Sequence, residues 1–141
     1  YEGMGIDRVA ACLGISDGMI VDAGSAITVD IMSGGVHLGG FILPGLEAYA
    51  KAYRSISPRL ETPINPSISL EMLPQKTSDA ISYGVIKPII LMFEATCKDK
   101  KIFFTGGDGK FFSKYFNNAI FDRTLVFRGM LKVIKQAQLG E

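Results

Sequence analysis

The sequence predicts an α/β domain built around a mixed sheet, with a three-stranded antiparallel meander, further parallel strands and helices on both faces. Two observations predict it. Apolar and polar residues alternate over closely spaced segments early in the chain, and afterwards short β runs alternate with stretches of helical periodicity. In chain order, Ile6, Val9, Ala10 and Leu13 fall at i, i+3, i+4 and i+7, a short helix that Gly14 terminates. Met19, Ile20 and Val21 form a brief strand ending in Asp22-Ala23-Gly24-Ser25, and a second strand alternates Ile27, Val29 and Ile31 with Thr28, Asp30 and Met32. Ser33-Gly34-Gly35 is a hairpin signal, and the run from Val36 to Leu43, stopped by Pro44-Gly45, completes the meander.

Leu46, Tyr49, Ala50 and Tyr53 mark a second helix face. Residues 57–74 hold prolines at 58, 63, 66 and 74 and little periodicity, which predicts an excursion over the surface. A long helix should begin near Thr77 with Ile81, Val85, Ile89, Met92, Phe93 and Thr96 inward, and Pro88 predicts a kink near Gly84. Ile102 to Phe104 reads as a strand ending at Thr105-Gly106-Gly107-Asp108, and Phe111, Phe112, Tyr115 and Phe116 follow at helical spacing. Leu125 to Phe127 predicts one more strand that Gly129 breaks, before a last helix face of Met130, Val133, Ile134 and Ala137. This order of elements is the arrangement of a ribonuclease-H-like domain of the actin and sugar-kinase type.

With 141 residues, 48% hydrophobic content and 16 glycines, the composition suits one compact domain and excludes a disordered tail or a fibrous repeat. Fifteen basic against fourteen acidic side chains leave a net charge of +1, so no basic field is available to hold a nucleic-acid backbone, and no nucleic-acid partner is expected. The uninterrupted apolar runs are short against the ~20 residues a bilayer requires, so no membrane partner is expected and the localisation is expected to be cytoplasmic. Cys12 and Cys97 stand apart from one another and from His37, and are read as buried packing residues with no disulfide or metal role. The start at Tyr1, with no methionine, predicts that the chain is the C-terminal part of a longer product.

Several clusters could carry chemistry, and each has a structural reading beside the functional one. Gly5-Ile6-Asp7-Arg8 puts a carboxylate at a helix start, where the macrodipole stabilises it, next to a guanidinium able to grip a carboxylate; a capping Asp beside a surface Arg would look the same. In Asp22-Ala23-Gly24-Ser25 the small residues let turn amides approach a phosphate, Ser25 offers a hydroxyl and Asp22 could hold a cation, or the segment is a plain hairpin turn. Thr105-Gly106-Gly107-Asp108-Gly109 sets bare backbone between strand and helix, where an adenine or phosphate could lie, but it lacks the Lys and Ser/Thr of a P-loop. Thr77 reads as a helix N-cap whose hydroxyl serves either the helix or a ligand. His37 has no Asp or Cys at useful spacing and is read as a strand residue, and the aromatic row 111–116 as core or subunit interface.

Taken in order, Gly-Ile-Asp-Arg, Val-Asp-Ala-Gly-Ser-Ala-Ile-Thr-Val-Asp, His-Leu-Gly-Gly-Phe-Ile-Leu-Pro-Gly-Leu, Lys-Thr-Ser-Asp-Ala-Ile-Ser-Tyr-Gly and Thr-Gly-Gly-Asp-Gly, the sequence resembles type III pantothenate kinase from Tyr1 to about Met130. The resemblance implies ATP-dependent phosphorylation of the pantothenate primary hydroxyl, the first step toward coenzyme A. It implies Mg2+ carried with ATP, a monovalent cation (K+ or NH4+), and a homodimer of two-domain actin-like subunits with the pantothenate pocket at the subunit interface. Carried over by position, Asp7 is the proton acceptor, and Gly5, Ile6, Asp7 and Arg8 line the pantothenate pocket, which Thr77 and Tyr1 also contact. Asp22 matches the monovalent-cation ligand, while Gly24, Ser25, Gly106 and Gly107 match the ATP side.

Ser25 stands where the family usually has threonine, which keeps the hydroxyl, and Gln75-Lys76-Thr77 replaces the commoner Gly-x-Asn-Thr. The family's Asp-x-Gly-Asn-Thr motif does not occur, so residues 1–141 are read as the C-terminal ribonuclease-H-like domain without the N-terminal phosphate-binding domain, and are expected to be a poor kinase alone. The family is also similar to proteins labelled accessory transcriptional activators, which leaves a non-enzymatic actin-like regulator as the alternative, beside a kinase of the same superfold with another small-molecule substrate.

Overall fold

The computed structural model describes residues 1–139. Helix α1 (Ile6–Leu13) leads into three hairpin-linked strands, β1 (Gly18–Ala23), β2 (Ala26–Ser33) and β3 (Val36–Pro44), as the alternation predicts. Helix α2 (Leu46–Ile56), a 3-10 turn at Pro58–Leu60 and the long helix α3 (Thr77–Cys97) follow, then β4 (Ile102–Thr105), α4 (Gly109–Ser113), β5 (Ala119–Phe121) and α5 (Leu125–Leu139). The strands form one sheet in the order β3-β2-β1-β4-β5. β2 pairs antiparallel with both β1 and β3, whereas β4 runs parallel to β1 and β5 parallel to β4. This is the expected mixed sheet, and it sets the ends of β1 and β4 side by side, with Asp22 opposite Thr105.

Both faces of the sheet are covered, which is why β1 is buried over almost its whole length. On one face Met19, Val21 and Ala23 join Ile27 and Val29 against Val85, Ile86, Ile89 and Phe93 of α3. On the other, Ile20 and Met32 meet Ala11 and Cys12 of α1 and Leu125 of α5. Phe93 anchors an aromatic cluster, its ring centroid 5.6 Å from that of Phe112 and 5.9 Å from that of Phe104. Phe112 of α4 is fully buried, and Phe111, Tyr115 and Phe116 pack partly buried on the same cluster, so this aromatic row belongs to the core, where truncating a fully buried ring costs about 3–5 kcal/mol. Cys12 and Cys97 are both buried thiols.

Three elements differ from the expectation. Leu125 to Phe127 is the first turn of α5, and the fifth strand is Ala119–Phe121, whose three residues are too few to display an alternation. Gly129 therefore does not break an element. It lies where α5 crosses α1, and a Cβ there would stand 1.7 Å from the Ala10 carbonyl oxygen. The second difference is in the inward face of α3, which runs as the expected single long helix with Pro88 inside it and with Pro88 and Gly84 both exposed. Its buried stripe is Ile81, Val85, Ile86, Ile89, Ile90, Phe93 and Cys97, while Met92 and Thr96 are half-buried. This helix is long and apolar enough to cross a bilayer, but that stripe is spent on the core. Third, the stretch after α2 is anchored: Ile64, Ile68 and Leu70 pack on the core, and the Asn65 N–H donates to the buried Ser82 Oγ at 2.8 Å.

The α1–α5 crossing yields a prediction. Gly→Ala in a helix interior ordinarily gains about 1 kcal/mol, whereas overpacking a close contact costs about 1–3 kcal/mol. Because the obstacle at Gly129 is backbone, Gly129→Ala should lower stability by about 1–2 kcal/mol in urea unfolding. An unchanged or higher midpoint would mean that the two helices sit further apart.

Candidate functional site

The end of β1, the turn after it and the first turn of α1 enclose a cavity of about 540 Å³. Residues 5–8, Asp22 and the turn Gly24–Ser25 all line it, so a helix start and a strand end read separately from the sequence are brought together. A second cavity of about 480 Å³ shares Gly24 and Ser25 and is bounded by Gly107 and Asp108 on one side and by Glu47 and Lys51 of α2 on the other. The Gly24–Ser25 turn is thus a common wall.

That turn is held by backbone hydrogen bonds. The Gly24 N–H donates to the Ala26 carbonyl at 3.0 Å, the Ser25 carbonyl accepts from the Gly45 N–H at 3.0 Å, and the Ala23 carbonyl accepts from the Asp108 N–H at 2.9 Å. Gly106 closes over the end of β1 with φ +86°, and a Cβ would lie 2.6 Å from Asp22 Oδ1 and 2.7 Å from the Ala23 oxygen. Both the positive φ and the approach demand glycine. Gly106 therefore shapes the floor under Asp22, and Gly107 reaches the second cavity.

Two carboxylates face the first cavity. Burial, and secondarily the neighbouring Asp7, push the Asp22 carboxyl above its ordinary range. A site that makes an isolated negative charge costly is one where a bound cation is favoured. Asp7 itself is exposed at the cavity mouth.

Arg8 is buried and committed. Its Nε donates to Asp30 Oδ2 at 3.0 Å and its Nη2 to Asp30 Oδ1 at 2.7 Å, while Nη1 donates to the Tyr1 hydroxyl. The bonds to Asp30 raise the Arg8 guanidinium above its usual range. His37 Nε2 lies 2.8 Å from Asp30 Oδ1, and Cys12 Sγ joins these two within 4.8 Å. Sequence spacing missed this: His37 does have an Asp and a Cys beside it, delivered by the β2–β3 hairpin and by α1. Such a trio is a possible metal-ligand set, but the guanidinium already bound to Asp30 opposes a cation, and burial, aided by Asp30, pushes the Cys12 thiol up to about 12.

The remaining expected residues fall outside the first cavity. Tyr1 is 60% exposed and reaches the site only through Arg8, whose guanidinium carbon lies 5.0 Å from its ring centroid. Thr77 is exposed, lines neither cavity, and is not the N-cap: the Lys76 carbonyl accepts the first helical bond, from Ala80 at 2.9 Å, so Lys76 is the cap and Thr77 the first helical residue. Sequence reasoning also passed over Lys51, Glu47 and Asp30. The first two carried no motif signal, and Asp30 looked like the ordinary polar partner in an alternating strand, although it is only 2% exposed.

Residues 1–99 match the family model described as type III pantothenate kinase. The type III pantothenate kinase of Wolinella succinogenes is 55% identical over 141 residues, all of this chain and 67% of that protein, and the one of Helicobacter hepaticus is 58% identical over 136 residues, 96% of this chain and 66% of that protein. The chain thus spans about two thirds of the length of the relatives it matches. A solved structure from Campylobacter jejuni, described as a conserved Baf family transcriptional activator, superposes with a TM-score of 0.91 at 56% identity over 98% of this chain and 67% of that one. The apo pSK41 ParM protein, 15% identical, superposes with a TM-score of 0.55 over 96% of this chain and 50% of that one, and shares the actin-like fold alone. On the family match and these relatives, the chain belongs to the type III pantothenate kinase family.

Proposed function

We propose that this chain is the C-terminal ribonuclease-H-like part of a cytoplasmic, ATP-dependent kinase that phosphorylates the primary hydroxyl of pantothenate. The observation that carries the reading is the shared cavity in which Asp7, Asp22 and the Gly24–Ser25 turn converge. Phosphoryl transfer asks the protein mainly to position reactants and offset charge. Asp7 at the cavity mouth is the group to accept the hydroxyl proton. Asp22, whose charge burial disfavours, is the ligand for a monovalent cation, K+ or NH4+. The Ser25 amide and hydroxyl and the backbone of Gly107 suit a polyphosphate in the adjoining cavity, where Lys51 adds a cation. ATP carried with Mg2+ would supply the transferred phosphoryl group.

Arg8 lines the acceptor cavity, and with one edge of its fork on Asp30 it offers its outer nitrogen, now on Tyr1, to the pantothenate carboxylate. Thr77 would contact pantothenate only where another surface completes the pocket, which fits the proposed homodimer. The exposed apolar side chains Phe127, Leu131 and Ile134 of α5 support such a partner surface. The additional length of the relatives would supply the family's first phosphate-binding strand, so the chain alone should be a weak kinase. The description of the Campylobacter jejuni structure favours a second reading, an actin-like regulator that keeps the motifs as scaffold.

Calorimetry with pantothenate and ATP on the full-length protein separates the two: saturable binding of both supports the kinase, and binding of neither supports the regulator. Asp7→Asn should lower turnover by ~10²–10⁴ with little effect on folding, and a loss of tenfold or less would reject the proton-acceptor role. Exchanging K+ for Na+ should depress the parent's rate but leave Asp22→Asn slow in both salts. Because its folded-state value is raised, Asp22 contributes stability at acid pH that is lost as pH rises through that value. In the absence of the cation, Asp22→Asn should therefore melt higher than the parent at neutral pH, the difference shrinking toward the ordinary carboxylate range.

A further inference from the structure

We infer that Asp30 is a positioning residue: by holding one edge of the Arg8 guanidinium it fixes the first turn of α1, and with it Asp7, against Asp22. This rests on the proposed role of Asp7 and goes beyond it in naming what sets that carboxylate in place.

The first turn of α1 has little else to hold it. The helix has eight residues, fewer than the ~12–15 at which an isolated helix becomes even marginally stable. Its N-cap is Gly5, which makes no side-chain capping bond, and Ile6 is 62% exposed. The buried apolar contacts of α1 come later, at Ala11 and Cys12, its crossing with α5 is at Ala10, and ahead of the cap only the partly buried Met4 packs on that core. What ties residues 5–8 to the sheet is Arg8, with both oxygens of the Asp30 carboxylate on one edge of its fork. A planar two-bond grip fixes direction as well as distance, and Asp7 is the next residue in the chain.

The surroundings are arranged to keep this pair. Removing two charges from water costs several kcal/mol per ion unless partners compensate, and Asp30, on β2, has a second partner in His37 from β3. The same strand gives up a side chain to make room. A Cβ on Gly40 would fall 2.1 Å from the Val29 oxygen, 2.5 Å from Asp30 Oδ1 and 2.9 Å from Arg8 Nη2. Gly40 in His-Leu-Gly-Gly-Phe thus leaves space for the ion pair, and two residues of β3 that do not line the cavity, His37 and Gly40, serve its geometry.

The test uses Asp30→Asn and Arg8→Lys in the full-length protein, with two readouts. Asn keeps the shape of the carboxylate but loses its charge and one acceptor, and Lys keeps a charge but cannot bridge both oxygens. Hydrogen exchange of the Arg8 and Val9 amides, which both donate to the Gly5 carbonyl, should accelerate at least about tenfold in both variants, with the amides of α3 left slow. In Asp30→Asn, kcat should fall ~10–100-fold and the KM for pantothenate rise, with the KM for ATP unchanged, a split that a general loss of folded protein would not produce. Unchanged exchange at Arg8 and Val9 in folded variants, or KM values that stay unchanged or rise equally for both substrates, would overturn the inference. If Asp30→Asn does not fold, Arg8→Lys decides by exchange alone. If the unmutated protein binds neither pantothenate nor ATP, the kinase reading fails while the exchange result still stands or falls by itself.

Discussion

The Asp30 carboxylate sits in the body of β2 at 2% exposure, and its need for partners constrains everything on that side of the sheet. A charge withdrawn from water must be met by donors of fixed geometry, and the main donor belongs to α1. Satisfying Asp30 therefore dictates where α1 lies. From that follow the contacts of Ala11 and Cys12 with Ile20 and Met32, and then the crossing of α5 at Gly129. The opposite face is governed differently. There α3 is seated by area, with Val85, Ile86, Ile89 and Phe93 removed from water, a force with no directional preference. One face has a unique placement imposed by a polar contact and the other derives cohesion from apolar packing.

The two candidate cavities lie where these regimes meet. β1 and β4 are adjacent and parallel, so the turns that leave their ends emerge together, and the crevice beyond the carboxyl ends of parallel strands is where α/β sheets tend to place ligands. The first turn, 24–25, is pinned by its own strand pair and by Gly45, and the second, 106–107, by the approach of Gly106 to Asp22. Asp22 thus has bare backbone on two sides, surroundings that disfavour its isolated charge. Both cavities lie at the rim of the sheet, while Asp30 within its body holds α1 in place.

Much of this could be read from residue order. The meander was visible because period two persists through β2, and the inward face of α3 was visible from Ile81, Val85, Ile89 and Phe93. The cavity residues 5–8, 22, 24 and 25 were recognisable as motifs, although only the fold shows that they share one space. Other features were hidden for physical reasons. Ala119–Phe121 is a strand because β4 offers it a partner, and three residues carry no period of their own. Gly129 carries the same letter whether it ends a helix or lets two helices touch. Arg8, Asp30 and His37 come from a helix and two strands, so no local spacing could reveal that they form one network. The position of Lys76 as cap, one residue before the hydroxyl that looked suited to the task, reflects which carbonyl accepts the first helical bond, a matter of backbone geometry.

The central place of β1 has an evolutionary consequence. Neighbours in a pleated strand face opposite ways, so a one-residue slip of β1 against β2 would turn Asp22 away from α1 and put Ala23 in its stead. The same slip would bury a carboxylate beneath α3 and carry the 24–25 turn out of line with Gly106, damaging both cavities in a single event. Drift by insertion or deletion should accordingly be purged from residues 18–25 and accumulate instead at the exposed residues 71–73, beyond the last anchor at Leu70, where the chain pairs with no strand and lines neither cavity.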